Sequence, residues 1–282
     1  MFGGANSNNI DMSIAALFPV QGNHAIQQAA FVVEWPTPLT DATLQSIVSL
    51  HTQLKDVFPI LQTPRQVQIA FGAHGGVDLP VTTSDALGGV HFVRPDPQAG
   101  PAGVVRAMQI SRENLVVLIN NYTRWDTVWQ EVSSWLALVL PFVLDGRPIT
   151  GATLQYIDKF SWRSDPTSLP LAEIFSHDTC YLPKNAFEAK GLWHAHHGFI
   201  SHFKEPFEYD CVDNVNINLL PEAASLALQI VTSHKGTLKN PVWDVTEARA
   251  AISTLMDGFH ARNKEILRDL FTKAVREKIG LI

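Results

Sequence analysis

An α+β fold, with mostly antiparallel sheets packed against helices and a long C-terminal helix, is predicted by three features of the sequence. Short stretches with an alternating apolar pattern recur along the chain, and one pair is joined by a hairpin-sized turn. Two long stretches keep a helical period instead, one mid-chain and one at the C-terminus. The strands near the C-terminus show one apolar and one polar face, the mark of an antiparallel sheet with a wet side. Two ferredoxin-like halves and helix-grip-like halves both satisfy this pattern.

The elements follow in order. Residues 1–24 are rich in Gly, Asn and Ser without a sustained period, and are expected to form a loose arm. Ala29–Trp35 alternates as a strand and stops at Pro36 and Pro38. Thr40 is placed to cap a helix carrying Leu44, Ile47, Leu54 and Val57. Arg65–Phe71 alternates again. Gly72–Gly103 concentrates Gly and Pro, so loops are expected there around a short strand near Val90–Val93. Gly72-Ala73-His74-Gly75-Gly76 lacks the lysine of a phosphate cradle and reads as a loop. Val104–Ile110 and Asn114–Asn120 flank a three-residue turn, a hairpin pattern. Trp125–Leu144 keeps helical spacing and ends at Asp145-Gly146. Thr153–Phe160 is a strand. The polar, proline-bearing stretch after it places a boundary between halves 25–163 and 164–282. Beyond it, Leu192–Phe203, Val212–Leu219 and Leu226–Thr232 read as strands, and Val245–Lys278 as one long helix.

Composition narrows the function. The chain has 282 residues, 46% hydrophobic and 17% charged, enough to build a sizeable core without staples. A net charge of −6 with no long basic run argues against a general nucleic-acid binder. Two cysteines are too few for a secreted disulfide scaffold. The N-terminus lacks the basic region of a signal peptide, and the longest strongly apolar run, Trp135–Leu144, is half of the ~20 residues a membrane span needs. A cytoplasmic protein without a membrane span is expected.

Four stretches in a fixed order carry a resemblance. They are Ala30-Phe31-Val32-Val33-Glu34-Trp35 with Pro38-Leu39 and then Phe58-Pro59; Asn120-Asn121-Tyr122-Thr123-Arg124-Trp125; Leu154-Gln155-Tyr156-Ile157-Asp158-Lys159-Phe160; and Leu255-Met256-Asp257-Gly258-Phe259-His260 with Leu270-Phe271-Thr272. In this order and spacing, over residues 25–278, the chain resembles a sporadically distributed bacterial family of similar length with no established activity. The resemblance implies that Tyr122, Trp125, Tyr156, Asp158 and His260 occupy the family's recurring positions. The family's scattered distribution implies a link with defence against phage.

One cluster stands out for its chemistry. Leu192-Trp193-His194-Ala195-His196-His197-Gly198-Phe199-Ile200-Ser201-His202 holds four of the eleven histidines. On a strand, His194, His196 and His202 share one face, and Trp193, Ala195, His197 and Phe199 share the other. The first three would hold zinc through neutral imidazoles, with Asp210 or Asp213 adding a carboxylate and the metal activating water. The sequence lacks His-Glu-x-x-His, Gly-x-Ser-x-Gly, a P-loop and Gly-x-Gly-x-x-Gly. Cys180, with His177 three residues before it, is a common pairing that identifies no nucleophile. The expectation is therefore a non-catalytic protein without a cofactor, binding a protein partner or small ligand through Trp193, His196, Tyr122, Trp125 and Tyr156. Homo-oligomers are compatible with it. The alternative is a metal-dependent hydrolase built on His194, His196 and His202.

Overall fold

Strict alternation along the long strands sorts their side chains into a buried face and a wet one. The computed structural model describes residues 14–69, 81–100, 103–189, 191–222 and 225–281. Twelve strands are described: β1 Leu17–Pro19, β2 Ile26–Glu34, β3 Ile60–Gln62, β4 Arg65–Ile69, β5 Val81–Leu87, β6 Gly89–Pro95, β7 Val104–Ser111, β8 Asn114–Ile119, β9 Ile149–Trp162, β10 His194–Phe203, β11 Tyr209–Glu222 and β12 Ser225–Val242. The helices are α1 Asp41–Val48, α2 His51–Leu54, α3 Trp125–Val143, α4 Leu171–Ile174, α5 Val245–Leu270 and α6 Lys273–Lys278. The α+β class and the antiparallel sheet are as the sequence predicts. No described helix is long and apolar enough to cross a membrane.

The chain forms two compact units, and neither is one continuous stretch. One comprises Met1–Ala29, Thr153–Gly236 and Leu255–Ile282; the other comprises Ala30–Ala152 and Thr237–Thr254. The halves expected at 25–163 and 164–282 differ from these units, because β2, β9, β12 and α5 each run from one unit into the other.

In the first unit the strand order is β10-β11-β12-β9, with β1 paired antiparallel to β9. Leu17 is fully buried opposite Trp162, so the loose arm expected for residues 1–24 is corrected from Ile14 onward. Residues 1–13 lie outside the described residues. On β11, Cys211, Asp213, Val215, Ile217 and Leu219 are buried and their neighbours wetter. Leu228, Ile230, Thr232 and His234 do the same on β12. Phe271 packs edge-on against Phe160 and stacks on Phe175, with ring centroids 5.5 and 5.8 Å apart. Each such ring or aliphatic side chain contributes roughly 1.5–3 kcal/mol on burial.

The closing helix breaks where the sequence predicts continuity. Phe271 forms a bridge with Phe175, and Thr272 N–H donates to the Ile174 carbonyl at 3.0 Å. Thr272 then adopts an extended conformation ahead of α6. A periodic apolar stripe does not reveal this break, because Phe271 remains buried on both accounts.

In the second unit the order is β2-β8-β7-β6-β3, with β4 and β5 as a separate hairpin. The 111–113 turn forms as expected, pairing Ile110 with Leu115. Thr40 caps α1 by accepting from Thr43 N–H at 3.1 Å. The single helix expected after it is two short ones. Strand β5 stands where loops were expected, β3 is a short strand that the sequence pattern does not mark, and 72–76 lies outside the described residues. Phe31, Trp125 and Trp129 stack at 5.8–6.0 Å. Arg147, itself buried, donates to the Val143 carbonyl at 3.0 Å and satisfies the end of α3.

Gly236 lets α5 seat closely on β12. A Cβ there would stand 2.8 Å from Phe259 Cζ and 3.2 Å from Leu255 Cδ2. Gly236→Val is expected to cost about 1–3 kcal/mol through overpacking, read as a lower midpoint in urea unfolding; an unchanged midpoint would show that the helix gives way freely.

Candidate functional site

The histidine-rich segment forms β10, the end strand of its sheet. Its ten residues pair with β11 without a bulge, from His194 opposite Asn218 to Phe203 opposite Tyr209. His194, His196 and His202 are exposed, as their shared face predicts. His202 Nδ1 lies 2.6 Å from Asp210 Oδ1, and His196 Nδ1 hydrogen-bonds Asn216 Oδ1. The opposite face carries Trp193 against Phe175, the buried Ala195, and Phe199 against Tyr181 at 5.8 Å.

The three histidines do not converge within a chain. Eight residues at ~3.3 Å each separate His194 from His202 by about 26 Å. Among the described residues, no group of three His, Cys, Asp or Glu side chains stands together as a metal site requires. Asp210 and Asp213 do not join them as a pair, because the strand's alternation sends them to opposite faces.

Asp213 instead lies at a buried polar centre that sequence reasoning missed. Its Oδ1 is 2.6 Å from His234 Nδ1 and accepts from Cys211 Sγ at 3.5 Å, while Arg262 Nε donates to Oδ2. Asp213 and His234 are wholly buried, and His234 Nε2 has no hydrogen-bond partner. Beside them Thr232 Oγ1 meets Asn263 Oδ1 at 2.6 Å. Burial alone would push the Asp213 carboxyl up; His234 and Arg262 outweigh it and hold the group below the ordinary carboxylate range. Burial, with the Asp213 charge, pushes the Cys211 thiol up to about 12. Cys180 is exposed, with its Sγ 3.8 Å from Asp269 Oδ2. The only sequence signal for the centre was two polar residues, 213 and 234, falling in phase with apolar neighbours.

Tyr156 and Asp158 occupy the buried face of β9. The Tyr156 hydroxyl hydrogen-bonds His260 Nδ1 at 2.9 Å. Asp158 is 2% exposed, its Oδ2 has no hydrogen-bond partner, and burial pushes its carboxyl up to about 7.

The five residues expected to bind a ligand are divided between the two units. Trp193, His196 and Tyr156 belong to the first unit, Tyr122 and Trp125 to the second. Tyr122 and Tyr156 are buried, and Trp125 is held in the ring stack described above. Two open clefts lie in the second unit. One of about 560 Å³ is lined by residues that include Thr40, Phe142, Asp145 and Trp243; another of about 670 Å³ includes Gln45, Leu61 and Arg65. Neither is lined by the expected residues.

Compared with known proteins, the chain matches no family model and no curated protein. The site is therefore read from its own side chains, and β10 is its most accessible part.

Asp213→Ala, which strips His234 and Arg262 of their acceptor, is expected to lose about 3–5 kcal/mol. The contribution of this lowered carboxyl is full above its unfolded value of 3.8 and vanishes as pH falls through its folded value. Urea unfolding of both proteins from pH 7 downward checks this, and a constant difference to pH 2 would contradict it. Asp158 has the opposite sign. Between its unfolded value of 3.8 and its folded value of about 7, the folded chain keeps a proton that the unfolded chain releases, so stability declines as pH rises through that window. Asp158→Asn is expected to flatten that decline and to gain on the order of 4 kcal/mol above pH 7 relative to its effect near pH 4. Parallel pH–stability curves for variant and parent would contradict it.

Proposed function

We propose that this chain is a non-catalytic binding protein that accepts an extended segment of another polypeptide along the open edge of β10. The observation that carries the reading is an edge strand that, among the described residues, lacks the usual protection. Edges are ordinarily blunted by short length, lysine, proline or a bulge. β10 is ten residues long against a usual five or six, contains no Lys or Pro, and pairs without a register shift. At the opposite end of the strand order, β3 has only three residues.

The side chains along this edge suit a partner. Ile200 is 69% exposed and Phe199 38%, with Leu192 just before the strand at 57%. An added strand would satisfy the outward N–H and C=O groups and lie beside Phe199 on one face and Ile200 on the other, as in strand-addition complexes. Affinity then comes from the main chain, and selectivity from the positions flanking Ile200 and Phe199.

Selection from a random decapeptide library, followed by amide hydrogen exchange, tests the reading. Selected peptides are expected to slow exchange within 194–203, and Ile200→Lys is expected to weaken them at least tenfold without shifting the melting temperature. Peptides that protect only other segments, or bind Ile200→Lys equally well, would overturn it.

A further inference from the structure

On the reading of β10 as an accepting edge, the geometry points to a second copy of this chain as the strand accepted, with a transition-metal ion clamped between His194 and His196 of one copy and His202 of the other. The imidazoles are already set for it. Asn216 Oδ1 and the Asp210 carboxylate are acceptors, so the Nδ1 of His196 and of His202 carries the proton. In the neutral ring Nε2 then keeps its lone pair, and a second group fixes the ring's orientation. Metal-binding histidines are held in this way, by an acceptor behind the ring. The His202 side chain is 75% exposed, and His194 and His196 are exposed as well.

Within one chain this set cannot close, because His202 is about 26 Å along the strand from His194. Antiparallel pairing of two β10 edges removes that distance. Gly198 is the strand's one glycine, at its middle. With Gly198 on the two-fold axis, His194 stands opposite the partner's His202, with Cβ atoms about 4.5–5.5 Å apart. His196 follows on the same face, about 7 Å along the strand. Three imidazoles then reach one ion from two chains, and the two-fold repeats the site, giving one metal per chain. The same register sets Ile200 opposite the partner's His196 and Phe199 opposite the partner's His197, so both exposed apolar side chains are covered. Three nitrogen ligands suit Zn²⁺, with water as the fourth. Each copy carries a formal charge of −6, and cations at the seam offset the repulsion between copies.

Light scattering on the full chain after size exclusion tests this, with EDTA or with equimolar zinc chloride. The expected mass is 31.2 kDa in EDTA and twice that in zinc, with one zinc per chain by elemental analysis. His202→Ala, and the double variant His194→Ala with His196→Ala, should each remain monomeric in zinc. Mixed one to one they should dimerise, because one complete site forms across the pair; a site within one chain predicts no such rescue. Monomers in zinc, a dimer indifferent to EDTA, or no rescue on mixing would each overturn the inference. The edge reading fails separately, through its peptide experiment, in which EDTA is present throughout.

Discussion

The buried carboxylate of Asp213 is the constraint on which the first unit depends. A charge removed from water costs several kcal/mol unless its attraction and hydrogen bonds are returned. Here they come from three directions at once: His234 on β12, Arg262 on α5 and Cys211 on its own strand. One group therefore fixes how β11 meets β12 and how the long helix lies over both. Apolar contacts alone would tolerate a sliding helix; a shared carboxylate specifies its position.

That choice propagates outward through strand parity. Once Asp213 faces inward, every even-numbered residue of β11 faces the other way. Asp210, Asn214, Asn216 and Asn218 thus line the outer face, beside the even-numbered residues of β10. His196 and His202 receive their acceptors for this reason. A one-residue slip of β11 would exchange the two sets, burying asparagines and exposing the Asp213 centre. The inner network and the outer histidine row are two sides of one register.

Much of this was legible in the sequence, for physical reasons. The alternation of Val215, Ile217 and Leu219 with asparagines is a period-2 signal that few structures other than a half-wet strand satisfy. The 125–144 helix was legible because its stripe is long and its stop is a glycine turn. The shared face of His194, His196 and His202 followed from parity alone. What escaped has one cause: it depends on partners far away in the chain. β1 is three residues long and owes its place to Trp162. The break after Leu270 exists because Phe175 arrives to bridge Phe271. Parity also says which residues share a face but not how far apart they are, so the metal triad looked compact in the sequence and is spread along the strand. The Asp213 centre was hidden because two polar residues in separate apolar patterns give no sign that they meet.

The two cysteines, finally, live in opposite chemical worlds. Cys180 sits at the surface, whereas Cys211 is wholly buried beside a carboxylate that further disfavours its thiolate. A thiol-directed dye offered to the folded protein therefore meets a single address. One fluorophore or spin label can be attached at Cys180 without removing any native residue. The second thiol becomes reactive only when the strand that shelters it opens, so counting labelled cysteines becomes a direct gauge of whether the polar centre is intact.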